Sequence, residues 1–247
     1  MKSLHKALDI LEYVLNLEGK PVTPGKAAEA IGLNECTCVR IMGEMVKRGY
    51  LEKVSRKAGY IPGPTVFALS NRDCGYSRLI GAAEIPIREF AIKISSMVNI
   101  SVMHDKYRYI LRHYSAHPER KLVHETSYFS NCYETATGWL LLSVSSDEII
   151  EKFIKELGVP QNIWNDLKTE NDMRRKLNEI KNTGLVEFPH PNGKWHIMGA
   201  LIKAENCPLS AIGFGIDVGD DAKRTMSLMK ECVREIEDKL ASRESAF

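Results

Sequence analysis

Residues Gly32 to Gly63 read GLNECTCVRIMGEMVKRGYLEKVSRKAGYIPG, and this stretch decides the fold of the N-terminal part. Asn34 can cap a helix by accepting a hydrogen bond from a backbone N–H two or three residues on. Beyond it, Cys38, Ile41, Met42 and Met45 recur at helical spacing and form one apolar face. At about 100° per residue the opposite face carries Cys36, Arg40, Gly43 and Lys47, flanked by Thr37 and Glu44. The spacing therefore predicts Cys38 in a core and Cys36 in solvent. Gly49 supplies the left-handed residue that ends the helix. Tyr50 to Val54 and Tyr60 to Pro62 read as strands about the turn Ser55 to Gly59, which carries Arg56 and Lys57 at its tip.

Upstream, Leu4, Ala7, Leu8, Leu11, Val14 and Leu15 form an i, i+3, i+4, i+7 stripe that predicts an amphipathic helix over Ser3 to Leu17. A short second helix follows, with Thr23 as its cap, Pro24 in its first turn, Ala27, Ala28 and Ile31 on its buried face, and Gly32 closing it. Helix, helix, turn, helix and two strands make a winged helix-turn-helix, whose third helix fits a DNA major groove about 12 Å wide. From Leu33 to Pro62, Arg40, Lys47, Arg48, Lys53, Arg56 and Lys57 stand against Glu35, Glu44 and Glu52, so 6 − 3 gives a local charge of +3. Winged helices also serve as protein–protein modules; the basic tip of the wing favours DNA.

The chain has 247 residues, enough for two domains, and its 44% hydrophobic and 27% charged residues are the balance of a water-soluble globular protein. A net charge of only +2 confines any nucleic-acid binding to a local patch. No apolar run approaches the roughly 18 residues of a membrane span, and MKSLHKALDILEYVL lacks the features of a signal peptide, so a cytoplasmic location is expected. The six cysteines, at 36, 38, 74, 132, 207 and 232, contain no CxxC pair, which argues against a disulfide framework or a finger-type zinc site.

After the wing, Pro62-Gly63-Pro64 stops the second strand, and Asn71 to Gly75 is a polar interruption between helical pieces. Leu79, Ala82, Ala83, Ile87, Phe90, Ala91 and Ile94 give a long helical stripe, kinked or restarted at Pro86, that can carry a dimer contact. Asn99 to Asp105 and Tyr107 to Tyr114 read as a hairpin, with Lys121 to Glu125 a candidate third strand. Tyr133 to Val144, Asp147 to Leu157 and Asn171 to Lys181 read as helices. Leu185 to Phe188, Trp195 to Ala204 and Leu209 to Val218 complete an antiparallel sheet, before a long amphipathic helix over Asp220 to Leu240. The expected organisation is a winged helix-turn-helix domain at 1–63, linker helices at 64–96 and an α+β domain at 97–247.

The sequence resembles the IclR-type transcriptional regulators along nearly its whole length. Ser3-Leu4-His5-Lys6-Ala7-Leu8-Asp9-Ile10-Leu11 looks like that family's opening helix, and Gly32-Leu33-Asn34-Glu35-Cys36-Thr37-Cys38-Val39-Arg40 looks like the start of its recognition helix. Arg48-Gly49-Tyr50-Leu51 and Tyr60-Ile61-Pro62-Gly63 resemble the family's segments around the wing; together these motifs are specific, whereas each alone is weak. The resemblance implies a homodimer or homotetramer on a pseudo-palindromic double-stranded DNA operator, a linker helix, and an α/β domain that binds a small-molecule effector. By matching position, Cys36, Thr37 and Arg40 would face the groove. An Arg can pair bidentately with guanine, a Thr can touch a thymine methyl or a phosphate, and Lys47, Arg56 and Lys57 suit phosphates. Cys36 stands where Ser is usual and Glu35 where a basic residue is common, so the operator sequence does not carry over.

In the second domain, Thr135-Ala136-Thr137-Gly138-Trp139-Leu140-Leu141-Leu142-Ser143 resembles the family segment whose backbone amides hold the carboxylate of a small organic acid. Ala136 and Thr137 would supply those amides, although Trp139 replaces the usual Lys. The family's remaining polar positions fall on Glu187, Ile197, Gly213 and Gly215, where only the acid survives. Gly213 and Gly215 are expected to open room on one face of the strand, with Trp195 or Tyr133 turned towards it; ordinary core packing is the alternative for Trp195. A bulkier or more aromatic effector, or none, is expected.

Seven histidines, including His104, His113, His117, His124, His190 and His196, show no ligand spacing, and neither a metal nor a cofactor is implied. Cys132 with His124 and Glu134 contains the residue types of a thiol-nucleophile site, but no nucleophile elbow, phosphate loop or acid pair accompanies them, so an enzyme is not expected. A ligand-independent DNA-binding regulator with a degenerate effector site is the second reading, and a change in melting temperature or operator affinity with a small molecule separates it from the first.

Overall fold

The computed structural model describes residues 2–70, 72, 75–117, 130–161, 163–164 and 167–242. They fall into two units, residues 2–72 and the described residues from 75 onward. The division lies within the stretch expected as a linker: the helix before it belongs with the first unit and the long helix after it with the second.

The first unit contains α1 (Lys2–Asn16), α2 (Pro24–Ile31), α3 (Glu35–Lys47), β1 (Leu51–Ser55), β2 (Gly59–Pro62) and α4 (Pro64–Ser70). Its boundaries follow from local chemistry. The Thr23 side chain accepts from Lys26 N, Pro24 occupies the first turn of α2, and Gly32 ends that helix at φ 66°. Asn34 Oδ1 accepts from Cys36 N at 2.9 Å and so opens α3. Ile10, Val14, Ala27, Ala28, Cys38, Met42, Leu51 and Tyr60 form the core. The apolar stripe expected on α1 is covered only in part: Ile10 and Val14 are fully buried, whereas Leu4 is 61% and Leu8 46% exposed. Core contacts come from the C-terminal half of the helix, so its first turns protrude.

The second unit contains α5 (Gly75–Lys93), β3 (Met97–His104), β4 (Tyr107–Ser115), α6 (Ala136–Ser143), α7 (Asp147–Leu157), α8 (Glu170–Thr183), β5 (Leu185–Pro189), β6 (Trp195–Ile202), β7 (Ser210–Asp217) and α9 (Ala222–Ser242). The strands form one antiparallel sheet in the order β4-β3-β7-β6-β5. One face buries Val98, Ile100, Met198, Ala200, Ile212 and Phe214 against α5 and α9. The other buries Val186, Phe188, Ile197, Leu201 and Ala211 against the layer of α6 and α8. Helix α5 runs through Pro86 without a restart, with that residue buried beside Ala82, Ala83 and Ile87.

The helix expected from Tyr133 to Val144 begins later. Thr135 is extended (φ −128°, ψ 144°), caps α6 by accepting from Gly138 N, and separates it from a 3₁₀ turn at Cys132–Glu134. Every residue of α6 is buried, as a helix apolar on all sides must be. Its N-terminus is thereby fixed at the sheet. The candidate strand Lys121 to Glu125, together with Asn71, Asp73, Cys74 and His124, lies outside the described residues. Among the described residues no helix is long and apolar enough to cross a membrane, and no group of three or more His, Cys, Asp or Glu is gathered as a metal site.

Candidate nucleic-acid interface and ligand cavity

Two positions decide what α3 can present. Cys38 and Met42 anchor one side of the helix in the core, which turns Cys36, Arg40 and Lys47 into solvent; Thr37, on the flank, is half-buried. Gly43 shares the open face, and among the described residues nothing beyond its own stretch of helix lies within 4 Å of where a Cβ would stand. Lys47 Nζ lies 2.6 Å from Glu44 Oε1, and this hydrogen bond holds the Glu44 carboxyl below its ordinary range. Both side chains are well exposed, so a phosphate can displace Glu44 at little cost. In the wing, Leu51 pairs with Pro62 and Lys53 with Tyr60, and the turn is closed by Ala58 N donating to Ser55 Oγ at 2.9 Å. Arg56 and Lys57 are exposed at its tip. Val22 exchanges two hydrogen bonds of 2.9 Å with Tyr60, tying the wing to the segment before α2.

In the second unit, a cavity of about 410 Å³ lies between the N-terminus of α6 and the sheet. That is the size of a small-molecule site. Thr135, Ala136 and Thr137 form its helical wall, and Asn99, Arg108, Ile110, Ile197, Gly213 and Gly215 come from the strands, with His190 and Trp195 at one end. The first amides of a helix have no intrahelical acceptor. Thr135 Oγ1 takes the Gly138 N–H at 3.1 Å, which leaves Ala136 and Thr137 as the amide-bearing positions at the cavity.

The placement of the expected effector residues is mixed. Ala136, Thr137, Ile197, Gly213, Gly215 and Trp195 line the cavity. Trp195 is 37% exposed and packs at 5.8 Å between ring centroids against His190, so it is a cavity wall rather than core. Glu187 is corrected: it sits between Val186 and Phe188, which face the α6 layer, and strand alternation sends it to the opposite face, 3.2 Å from His196 Nε2. Tyr133 is corrected as well. Its ring stacks on Trp139 at 5.5 Å and its hydroxyl donates to Gly158 O at 3.0 Å, in the core behind the helix. Gly213 opens no room, since a Cβ there would meet Thr137 Cγ2 at 2.7 Å. It lets α6 approach β7.

Sequence reading missed Arg108, which is 4% exposed and lines the cavity. Its Nη1 donates to Ser101 Oγ at 3.1 Å; Ser101 Oγ donates to Asn99 Oδ1 at 2.9 Å; Asn99 Nδ2 donates to Gly213 O at 3.0 Å. Strict alternation would put Arg108 on the same face as Arg112. The register shift between Ile100 and Ser101 breaks that rule: Ile100 pairs with Arg112 and Ser101 with Ile110, so Leu111 is the extra residue. Arg112 consequently reaches Glu84 of α5 at 2.8 Å, and Arg108 turns to the α6 side.

Cys132 is 1% exposed, and burial pushes its thiol up to about 11, with Arg108 pulling the other way. It is therefore protonated at neutral pH, and Glu134 is exposed rather than gathered beside it as a base.

No protein-family model matches the chain, and no curated protein matches it. Solved structures do. An IclR homologue from Microbacterium hydrocarbonoxydans, complexed with 4-hydroxybenzoate, matches 97% of this chain and 99% of its own with a TM-score of 0.80 at 18% identity. The Thermotoga maritima IclR matches 97% of this chain and 99% of its own, with a TM-score of 0.66 at 16% identity. An IclR-type regulator from Alicyclobacillus acidocaldarius matches 97% and 98%, with a TM-score of 0.67 at 16% identity. Winged helix-turn-helix and sheet domain together, the chain has the fold of the IclR-type transcriptional regulators over nearly its whole length.

Proposed function

We propose that this protein is a cytoplasmic, non-enzymatic transcriptional regulator that binds a pseudo-palindromic DNA operator as a homodimer or homotetramer and is modulated by a small molecule in the α6 cavity. The observation that carries the DNA reading is the open face of α3, where Cys36, Arg40, Gly43 and Lys47 project from a helix locked to its core by Cys38 and Met42. Arg40 reads guanine, Thr37 supports a neighbouring base or phosphate, and Lys47, Arg56 and Lys57 take phosphates. Two such helices, spaced about 34–36 Å apart or a multiple of it, match half-sites one turn apart, and a ligand that tilts them changes affinity. Supporting the ligand reading, the Microbacterium homologue with this fold holds 4-hydroxybenzoate, and the cavity here has a size fit for one small ring.

Selection of bound fragments from a genomic library, followed by titration of the enriched sequence with and without candidate ligands, tests both halves. A recurrent pseudo-palindrome is the expected result; uniform enrichment sinks the regulator reading. The ligand-independent alternative is the outcome in which operator affinity and melting temperature ignore every small molecule tried.

A further inference from the structure

Resting on the DNA-binding reading above, a further inference concerns what α3 reads in the groove besides guanine. Val39 is β-branched and apolar, yet 47% exposed. Its neighbour Cys38 is fully buried and its other neighbour Arg40 is exposed, so the helix turns Val39 to the open side. Cys36, Val39 and Gly43 follow at i, i+3 and i+7, within about 60° of arc at roughly 100° per residue. They make a small apolar ridge beside Arg40 and Lys47. Cys36 is exposed, and among the described residues nothing beyond its own stretch of helix lies within 4 Å of the missing Cβ of Gly43. A ridge of this composition does not read bases through strong hydrogen bonds: valine and glycine side chains have no polar atom, and a thiol is a weak donor. The apolar group that a base pair presents in the major groove is the thymine C5-methyl. Valine in a helix keeps essentially one χ1 rotamer, so its two methyls offer a fixed surface with little entropy left to lose. Thr37, whose methyl could make the same contact, is half-buried on the other flank of Arg40.

We propose that Val39 is a specificity-determining residue of α3: it packs on the C5-methyl of a thymine in the same half-site in which Arg40 takes a guanine. The half-site is thus read by one methyl as well as by one guanine. Cys36 flanks the contact, and Gly43 lets the helix come close enough to make it.

The recurrent sequence from the genomic selection is synthesised with each thymine of a half-site replaced in turn by deoxyuridine, which keeps the base pairing and O4 and lacks only the methyl. Binding of the full-length chain is followed by fluorescence anisotropy. At one position the replacement should weaken wild-type binding about fourfold, the worth of burying one methyl-sized group. Val39→Ala should bind the thymine and deoxyuridine forms of that position alike, and Val39→Thr, which keeps one methyl, should retain part of the difference. Alanine is the better helix former and the position is exposed, so Val39→Ala should keep the wild-type melting curve. Val39→Gln makes the same comparison if it does not. A wild-type chain indifferent to every replacement, a half-site without thymine, or a deoxyuridine effect undiminished in the folded Ala or Gln variant would each overturn the proposal. Indifference to deoxyuridine on a recurrent sequence removes the methyl contact and leaves the regulator reading standing. A selection that yields no recurrent sequence sinks that reading, and the proposal with it.

Discussion

Gly43 is in the middle of α3, where glycine costs roughly 1 kcal/mol relative to alanine. Among the described residues, nothing beyond its own stretch of helix lies within 4 Å of its missing Cβ, so packing there does not require it. The remaining reason is close approach of another surface, and on this face the proposed surface is DNA. Gly43→Ala should therefore raise the stability of the first unit by about 0.5–1 kcal/mol in urea unfolding and weaken operator binding in the same preparation. A stabilised variant with unchanged operator affinity would remove Gly43 from the interface. Arg40, one turn earlier and exposed, has the opposite signature. Arg40→Ala should leave the melting curve in place, cost about 1–3 kcal/mol of operator affinity and relax discrimination at one base pair, measured by competition between operator variants. Full affinity in the folded variant would refute base reading by this side chain.

At the level of elements, the wing depends on a backbone contact. Gly59 opens β2 at φ 100°, and a Cβ there would fall 2.1 Å from Val22 O, in the strand pairing that holds Tyr60. Gly59→Ala thus combines left-handed strain of about 1–3 kcal/mol with a clash that only separation of the wing relieves. The expected result is loss of amide protection at Tyr60 and Val22 in hydrogen exchange; retained protection would show that the segments shift together. Elements with chemical punctuation were legible in the sequence: Thr23, Asn34, Gly32 and Gly49 mark ends that need only neighbouring residues to be understood. Thr135 shows the same grammar misread, because an apolar run on both sides of a cap looks like one helix. Faces were harder. The bulge at Leu111 reverses the side on which Arg108 points, and it is set by pairing with β3, which no local pattern records. Glu187 was carried over by position, although its neighbours Val186 and Phe188 already mark it as facing away from the α6 layer. Most of the fold was readable, therefore, whereas the cation of the cavity depended on strand register.

Over the whole molecule, association and alkaline stability are the two collective properties that follow. Leu4 and Leu8 are exposed apolar side chains one turn apart on α1, and a second copy would cover them in the proposed dimer. Replacing both by Glu should shift sedimentation towards monomer and weaken operator binding without changing the helix content; an unaltered sedimentation coefficient would place the contact elsewhere. The second unit carries a separate liability in its buried thiols. Cys132 is pushed up to about 11 and Cys232 to about 12, in both cases chiefly by burial, from an ordinary value of 9.0. Folding holds each proton beyond the pH at which the unfolded chain releases it. The stabilisation is accordingly complete below pH 9 and declines as pH rises through the folded-state values. Between those limits each group removes about 1.4 kcal/mol per pH unit at most. Urea unfolding at pH 8 and at pH 10.5 should therefore show a larger loss for the wild-type chain than for Cys132→Ala/Cys232→Ala, whatever that variant loses at pH 8 from its missing packing. The difference between the two proteins removes what they share; Tyr133, whose hydroxyl is held up by burial and by Cys132, adds in the same sense as the thiols. Equal losses would mean that the two thiols ionise in the folded chain as readily as in the unfolded one, and that water reaches the cores on both faces of the sheet.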